Sequence, residues 1–186
     1  MTSRLVWLKS LMGVAVLFLA VFSAGAPYAR AANANSPNDA AISKQVHHKL
    51  VSLPWYGVFD NLEFQVNGNE VILSGQLVSE HATTKNDFEN AVKRIEGVTT
   101  VVNNIKVLPP ASFDDQIRRA EYRAIFSKGN LGGYSAGPIP DLHIIVDGGH
   151  VTLEGAVMNQ MDKTLAGIAA NSVAGVFSVT NNLRIG

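Results

Sequence analysis

The spacing of apolar residues along the chain predicts a regular succession of helices and strands. Between residues 42 and 50 every fourth residue is apolar, as in a helix with one buried face. Between residues 62 and 66 every second residue is apolar, as in a half-buried strand. Asn67-Gly68 then predicts a tight hairpin turn, and residues 71–75 alternate again on the returning strand.

A second helix and a third strand follow the hairpin. Apolar residues at helical spacing between residues 88 and 95 predict the helix, with Ser79 as its N-cap and Gly97 as its C-cap glycine. Alternating residues between 101 and 107 predict the strand. The order is αββαβ, which predicts an α+β fold: a small three-stranded sheet with two helices on one face.

The whole pattern occurs twice. Residues 67–75 match residues 147–155, and the Gly-Val pair at 97–98 matches the pair at 175–176. Two matched blocks in the same order indicate two tandem modules, residues 38–108 and 113–186, joined by a short linker at 109–112 that Pro109-Pro110 stiffens. In the second module we expect Asn159 to cap the second helix, Leu165, Ile168, Ala169 and Ser172 to share its buried face, and Gly175 to end it.

The first 31 residues follow the plan of a secretory signal peptide. Arg4 and Lys9 form a positive start, residues 11–22 are apolar or glycine, and Ala29 and Ala31 supply the two small residues that a signal peptidase recognises. The apolar run is about 12 residues, short of the roughly 20 that span a bilayer. We expect cleavage after Ala31, a flexible leader at 32–37, a periplasmic location and no transmembrane segment in the mature chain; the alternative is retention as an uncleaved anchor.

Composition narrows the possible functions. The chain has 15 basic and 15 acidic residues, and three of the basic ones lie in the signal, so the remainder is net acidic by about three charges. Nucleic-acid binding is therefore not expected. The absence of cysteine excludes disulfides, thiolate catalysis, cysteine zinc sites and lipidation of an N-terminal cysteine. No nucleotide-binding, hydrolase or metal motif is present, so we expect no catalytic residues, no metal and no cofactor.

The repeated motif resembles the BON domain, named for bacterial osmotic-stress and nodulation proteins. The pattern V-x-L-x-G occurs at residues 71–75 and 151–155, and each copy is followed by G-V and then V-x-N, at 97–103 and 175–181. The resemblance covers nearly all of the chain after the signal. It implies an envelope-associated protein without enzymatic activity, whose modules bind phospholipid surfaces or envelope components. Many double-module relatives are lipoproteins, so the missing cysteine implies peripheral membrane contact here.

The first helix of the second module carries the main candidate site. A helical projection places three arginines and two aromatic residues on one sector, opposite apolar positions 117, 120 and 124: Arg118, Arg119, Tyr122, Arg123 and Phe126. Arginine with interfacial aromatic rings suits an anionic lipid surface. The alternative is a solvated face, in which Arg119 and Arg123 pair with Asp114, Asp115 or Glu121 while the rings fold back over the core.

Two further sets of residues are singled out. Aromatic loops after the first helices are candidates for contact with a membrane or a neighbouring module, or they pack on their own sheet: Trp55, Tyr56, Phe59 and Tyr134. Four shared glycines are expected to be structural: Gly75, Gly97, Gly155 and Gly175. For the strand glycines 75 and 155 we expect a helix to approach the backbone closely.

The sequence therefore predicts a non-catalytic exported binding protein. We expect it to associate peripherally with anionic phospholipid membranes and to support envelope integrity or osmotic-stress tolerance. The alternative partner is an envelope protein or a glycan, which would make the chain a periplasmic adaptor or a chaperone-like factor. The net acidity counts against the lipid hypothesis, whereas the cluster of arginines and aromatic residues favours it.

Overall fold

A computed structural model describes residues 37–53, 55–137 and 139–186. The predicted signal peptide and the leader up to residue 36 lie outside the described residues. The first module contains α1 (Pro37–Val51), β1 (Asn61–Asn67), β2 (Glu70–Leu77), α2 (Ala82–Val92), β3 (Thr100–Asn103) and β4 (Lys106–Val107). The second contains α3 (Ser112–Phe126), β5 (Leu142–Asp147), β6 (His150–Val157), α4 (Gln160–Asn171), β7 (Ser178–Asn181) and β8 (Arg184–Ile185). Short 3-10 helices span Ser79–His81 and Leu131–Ser135.

The two modules have the same sheet topology. In the first, β1 and β2 form an antiparallel hairpin, and β3 and β4 lie parallel to β2 as one interrupted third strand. In the second, β5 to β8 repeat this arrangement. The hairpins close through two-residue turns, since Asn67 pairs with Glu70 and Asp147 with His150. The predicted α+β fold with two tandem modules is confirmed.

Each module has its own hydrophobic core beneath its two helices. The first core contains the predicted face of α1: Ile42, Val46 and Leu50. The second contains three small residues of α4: Ala166, Ala169 and Ala170. The predicted face of α4 is therefore partly wrong, because Ile168 is 63% exposed and Ser172 is exposed as well.

Of the four predicted cap positions, one is confirmed and three are wrong. Asn159 is an N-cap as expected, since its side-chain oxygen accepts a hydrogen bond from the Asp162 N–H at 2.8 Å. Ser79 is not, because it begins the short 3-10 helix. Gly97 and Gly175 lie in tight turns several residues beyond the helix ends, each with φ near +90°. The turn conformation, not the helix end, is what requires glycine there.

Gly75 and Gly155 lie where the backbone entering each hairpin leaves no room for a side chain. Both have positive φ, +112° and +107°. A Cβ atom at either position would overlap a backbone carbonyl oxygen of the segment entering the hairpin, that of Asn61 or of Asp141. The close neighbour is therefore the adjacent strand entry, and the expectation of a helix at these glycines is wrong.

The helix α3 buries a row of polar side chains beside its apolar ones. The Asp114 carboxylate accepts hydrogen bonds from the N–H groups of Gly148 and Gly149, at 2.9 and 2.8 Å. Arg118 is only 4% exposed; it donates to the Val146 carbonyl at 2.7 Å and forms an ion pair with Asp115 at 2.5 Å. These bonds to the β5–β6 hairpin fix the rotation of α3. The prediction that Arg118 lies on the exposed sector is wrong.

Glu121 completes this buried row without a partner. Its side chain is fully buried, and neither carboxyl oxygen has a hydrogen-bond partner among the described residues. Burial raises the pKa of the Glu121 carboxyl to about 8. At neutral pH the protonated form therefore predominates, which avoids an uncompensated buried charge.

The strand glycines generate the first prediction. Gly155→Ala should lower the free energy of unfolding by at least about 3 kcal/mol, because positive φ and the overlap with the Asp141 carbonyl both oppose a Cβ atom. Urea denaturation measures this. Gly133→Ala is the matched control, since no atom lies within 4 Å of its added Cβ and its φ is not positive. A loss below about 1 kcal/mol for Gly155→Ala would contradict the proposed packing.

Glu121 generates a prediction of pH dependence. Its pKa is about 8 in the folded chain and near its ordinary value of 4.5 when the chain is unfolded. Between these values the folded state binds the extra proton, so the free energy of unfolding of the wild type falls as pH rises from about 5 to about 8. Glu121→Gln has no titrating group at this position. Its free energy of unfolding, compared with that of the wild type, should therefore rise as the pH rises from about 5 to about 8.

Urea denaturation of the wild type and of Glu121→Gln, each at about pH 5 and about pH 8, measures this pH dependence. The stability difference between Glu121→Gln and wild type should be larger at pH 8 by on the order of 3 kcal/mol. The same difference at both pH values would show that Glu121 does not take up a proton on folding.

Candidate functional site

The loop that precedes β1 joins the two modules. The Val58 carbonyl accepts a hydrogen bond from the Ile144 N–H at 2.8 Å. Ile144 lies in β5, the edge strand of the second sheet, and this bond gives the outward N–H its partner. Val58 and Phe59 also pack against the hydrophobic core of the second module. The first module therefore covers the open edge of the second.

A buried histidine and a half-buried tyrosine reinforce this junction. Burial lowers the pKa of the His143 imidazole, so the ring is neutral at pH 7. Its Nδ1 lies 3.2 Å from the Gly57 carbonyl, which can only accept, so Nδ1 carries the proton. Its Nε2 is then an acceptor for the Tyr56 hydroxyl at 3.4 Å. Burial raises the pKa of Tyr56 to about 12, which keeps that hydroxyl protonated.

Asp60 holds the same loop from inside the first module. Its carboxylate is fully buried and accepts hydrogen bonds from the N–H groups of Gly57 at 3.0 Å and Val78 at 2.9 Å. The His81 Nδ1 lies 2.6 Å from the same carboxylate. Residues 57–60 are therefore fixed at both ends, and Phe59 is held at the surface of the second module.

Three aromatic rings form a row across the junction. Phe59 lies edge-on to Tyr122 with ring centroids 6.3 Å apart, and Tyr122 lies edge-on to Phe126 at 4.9 Å. We call these three residues the aromatic row. Tyr122 is 41% exposed, and Phe59 and Phe126 are half-buried against the second core. The row therefore combines one residue of the first module with two of α3.

Two exposed arginines flank the aromatic row. Arg119 and Arg123 have no ion-pair partner among the described residues, because the neighbouring acids are engaged elsewhere. Asp115 pairs with Arg118, Asp114 bonds the hairpin N–H groups, and Glu121 is buried. The expected alternative is therefore wrong for these ion pairs, although Phe126 does pack against the second core as that alternative predicted.

The arginines and the aromatic row line an open groove, which we call the junction groove. Its central cavity, of 310 Å³, is lined by Phe59, Arg119, Tyr122 and Arg123. A cavity of 240 Å³ continues it toward the first module, lined by Phe59, Val78, Glu80, His81, Asp115, Arg118 and Arg119. A third cavity, of 530 Å³, continues it toward the Leu131–Ser135 turn, lined by Tyr122, Arg123, Phe126, Ser127, Gly132 and Ser135. The groove thus presents apolar rings beside two cationic groups.

The other candidate residues lie outside the groove. Trp55 is 63% exposed and is not among the residues that form the junction contacts given above. The Tyr134 side chain is buried; its hydroxyl donates to the Asp162 carboxylate at 2.6 Å and accepts from the Met158 N–H at 2.9 Å, which is a structural role. No sequence motif marks Asp60, His81 or His143, because each has a partner in a distant part of the chain.

Among the described residues, no three side chains of the types that ligate metals come together. None of the described helices has the length and apolar character needed to cross a bilayer.

Comparisons with known proteins identify the fold of each half. The family model of the BON domain matches residues 38–109 and 114–186. The chain matches no curated protein sequence. Two solved structures of CdsD, a structural protein of the type III secretion system of Chlamydia trachomatis, are similar at 12% identity. One match covers 78% of this chain and 92% of that chain with a TM-score of 0.31; the other, to the C-terminal domain, covers 77% and 96% with a TM-score of 0.26.

Neither structural likeness carries an argument about function at these TM-scores. The family match, in contrast, spans most of the sequence and coincides with both modules of the fold. The chain belongs to the BON domain family and contains two copies of that domain.

Proposed function

We propose that this chain is a non-catalytic, exported protein that binds anionic phospholipid membranes peripherally through the junction groove. The observation that carries the proposal is the pair of unpartnered guanidinium groups beside the aromatic row. The predicted signal peptide supports a periplasmic location, where envelope lipids are accessible. A role in envelope integrity or osmotic-stress tolerance is the cellular function that fits.

The geometry of the groove suits the boundary between headgroups and acyl chains. Tyr122 exposes part of its ring, and rings of this kind reside where apolar and polar regions meet. Arg119 and Arg123 stand one helical turn apart on the same face, so both can reach phosphates beside the rings. Each basic group near an anionic surface contributes on the order of 1 kcal/mol. Two arginines with the aromatic contacts therefore give weak, reversible attachment.

The acidic residues set limits to this binding. The chain after the predicted signal is net acidic, and Glu80 and Asp115 line the part of the groove nearest the first module. Asp115 is neutralised by Arg118, while the central cavity has no acidic lining residue. We therefore expect attraction to be local to Arg119 and Arg123, and to weaken as salt screens it over about 10 Å.

Charge reversal in the groove tests the proposal. Arg119→Glu/Arg123→Glu should lower the affinity for anionic vesicles at least about tenfold, since two attractive contacts become repulsive. The measurement is co-sedimentation of residues 32–186 with vesicles of phosphatidylglycerol and phosphatidylcholine, compared with phosphatidylcholine alone. Binding by the wild type should require the anionic lipid and fall with added salt.

The control for this experiment is Arg94→Glu/Arg184→Glu, which makes the same change in net charge at two exposed arginines outside the groove. It should bind nearly as well as the wild type. If both double variants lose binding equally, the groove is not the site. If the wild type binds no vesicle at low salt, the membrane proposal fails and an envelope protein or a glycan becomes the partner to test.

A further inference from the structure

The second module exposes apolar residues before, along and after α4. Met158 and Met161 are each 77% exposed, Ile168 is 63% exposed and Phe177 is 69% exposed. Met161, half-buried Leu165 and Ile168 follow helical spacing and form one stripe, which lies to one side of the face with the buried alanines. We call Met158, Met161, Leu165, Ile168 and Phe177 the α4 strip. Exposed apolar side chains grouped in this way mark an interaction surface rather than a core.

The first module shows that the fold itself does not require this strip. Two equivalent hydrogen bonds show which residues of the two modules correspond. The side-chain amide of Asn103 donates to the Lys85 carbonyl, and that of Asn181 donates to the Lys163 carbonyl. In this alignment Met161, Leu165 and Ile168 correspond to polar residues of α2, namely Thr83, Asp87 and Asn90. The same helix in the same fold is therefore polar in one copy and apolar in the other.

An aromatic pair adds exposed apolar side chains after the end of α4. The rings of Phe113 and Phe177 have centroids 6.1 Å apart, and Phe113 is 46% exposed. A Cβ atom at Gly149 would lie 2.8 Å from the Phe177 ring, so this glycine makes room for it. In the first module, Thr99 occupies the place of Phe177 and makes the equivalent backbone hydrogen bond, to Asn69 instead of Gly149.

We propose that the α4 strip is the interface of a homodimer, in which the strip of one chain packs against that of a second copy. Its charge pattern favours this occupant. The only charged residues of α4 are Asp162, which bonds Tyr134, and Lys163, so the strip is close to neutral. It lacks the arginines that an anionic membrane would select, and these are found in the junction groove instead. A neutral apolar surface matches another copy of itself without charge repulsion.

The exposed area reaches the minimum that a weak, reversible dimer needs. Met158, Met161, Ile168, Phe113 and Phe177 each expose on the order of 100 Å² of side chain, or about 500 Å² per chain. Pairing two copies would bury about 1,000 Å² from these side chains alone, which reaches the lower range of specific interfaces. Because only the second module carries the strip, the contact pairs like with like and closes as a twofold dimer instead of extending into a filament.

The residues of the first module supply the test variant. Met161→Thr/Ile168→Asn/Phe177→Thr gives α4 and its following turn the residues that the same fold already holds at positions 83, 90 and 99. Sedimentation equilibrium of residues 32–186 between about 1 and about 100 µM should give a dimer mass for the wild type at the upper end. The triple variant should dissociate at least about tenfold more readily. Circular dichroism and urea denaturation check that it folds.

The control removes exposed apolar side chains elsewhere, as Trp55→Thr/Ile185→Thr, and should leave the dimer intact. A wild type that remains monomeric at the highest concentration would overturn the proposal, as would a triple variant that dimerises as well as the wild type. A monomeric wild type whose vesicle binding is lost in the triple variant would assign the strip to lipid. Arg119→Glu/Arg123→Glu should dimerise normally, which separates this proposal from that of the junction groove.

Discussion

The hydrogen bond from the Ile144 N–H to the Val58 carbonyl is the constraint on which the shared surface of the two modules depends. Ile144 is fully buried, so an N–H without a partner there would cost about 1–3 kcal/mol. The first module provides the acceptor, and Asp60 holds the loop that carries it. His143 and Tyr56 add a second connection in which each polar atom has a partner. Two small domains on a short linker become one unit because the edge strand of one is completed by a loop of the other.

This junction explains why the candidate site combines both modules. Phe59 is placed by the first module, whereas Tyr122, Phe126 and the two exposed arginines are placed by α3. The rotation of α3 is itself fixed by its buried polar row, since Asp114 and Arg118 bond to the β5–β6 hairpin. The duplication has thus diverged: the first copy supplies a covering loop with Phe59, and the second supplies Tyr122, Phe126, the two exposed arginines and the α4 strip.

Much of the fold could be predicted from the sequence because it depends on local signals. The repeated V-x-L-x-G motif, the hairpin turns and the Asn159 cap all act over a few residues, and each was correctly placed. The strand glycines were correctly singled out as well, although the group that approaches them was not. Their close neighbour is an oxygen at the entry of the hairpin, which depends on strand register instead of local sequence.

The parts that could not be predicted depend on contacts between distant residues. A helical projection places Arg118 and Arg119 on the same exposed sector. Arg118 is buried because it bonds to the Val146 carbonyl, whose position depends on the fold. Ile168 looks like a core residue by its type, but the alanines of α4 allow the helix to approach the sheet on another side. Asp60, His81 and His143 show no motif, because each is defined by a partner that only the fold brings near.

The exchange rate of one backbone amide tests the central claim most directly, since the Ile144 N–H has its acceptor in the other module. Hydrogen exchange by NMR in residues 32–186 should show this amide protected by a factor on the order of 10⁴ or more, as in a buried sheet, with much weaker protection in Asp60→Asn. Exchange at the rate of an exposed edge strand, with the neighbouring β5 amides still protected, would show that the modules do not dock and that the junction groove is not a stable feature.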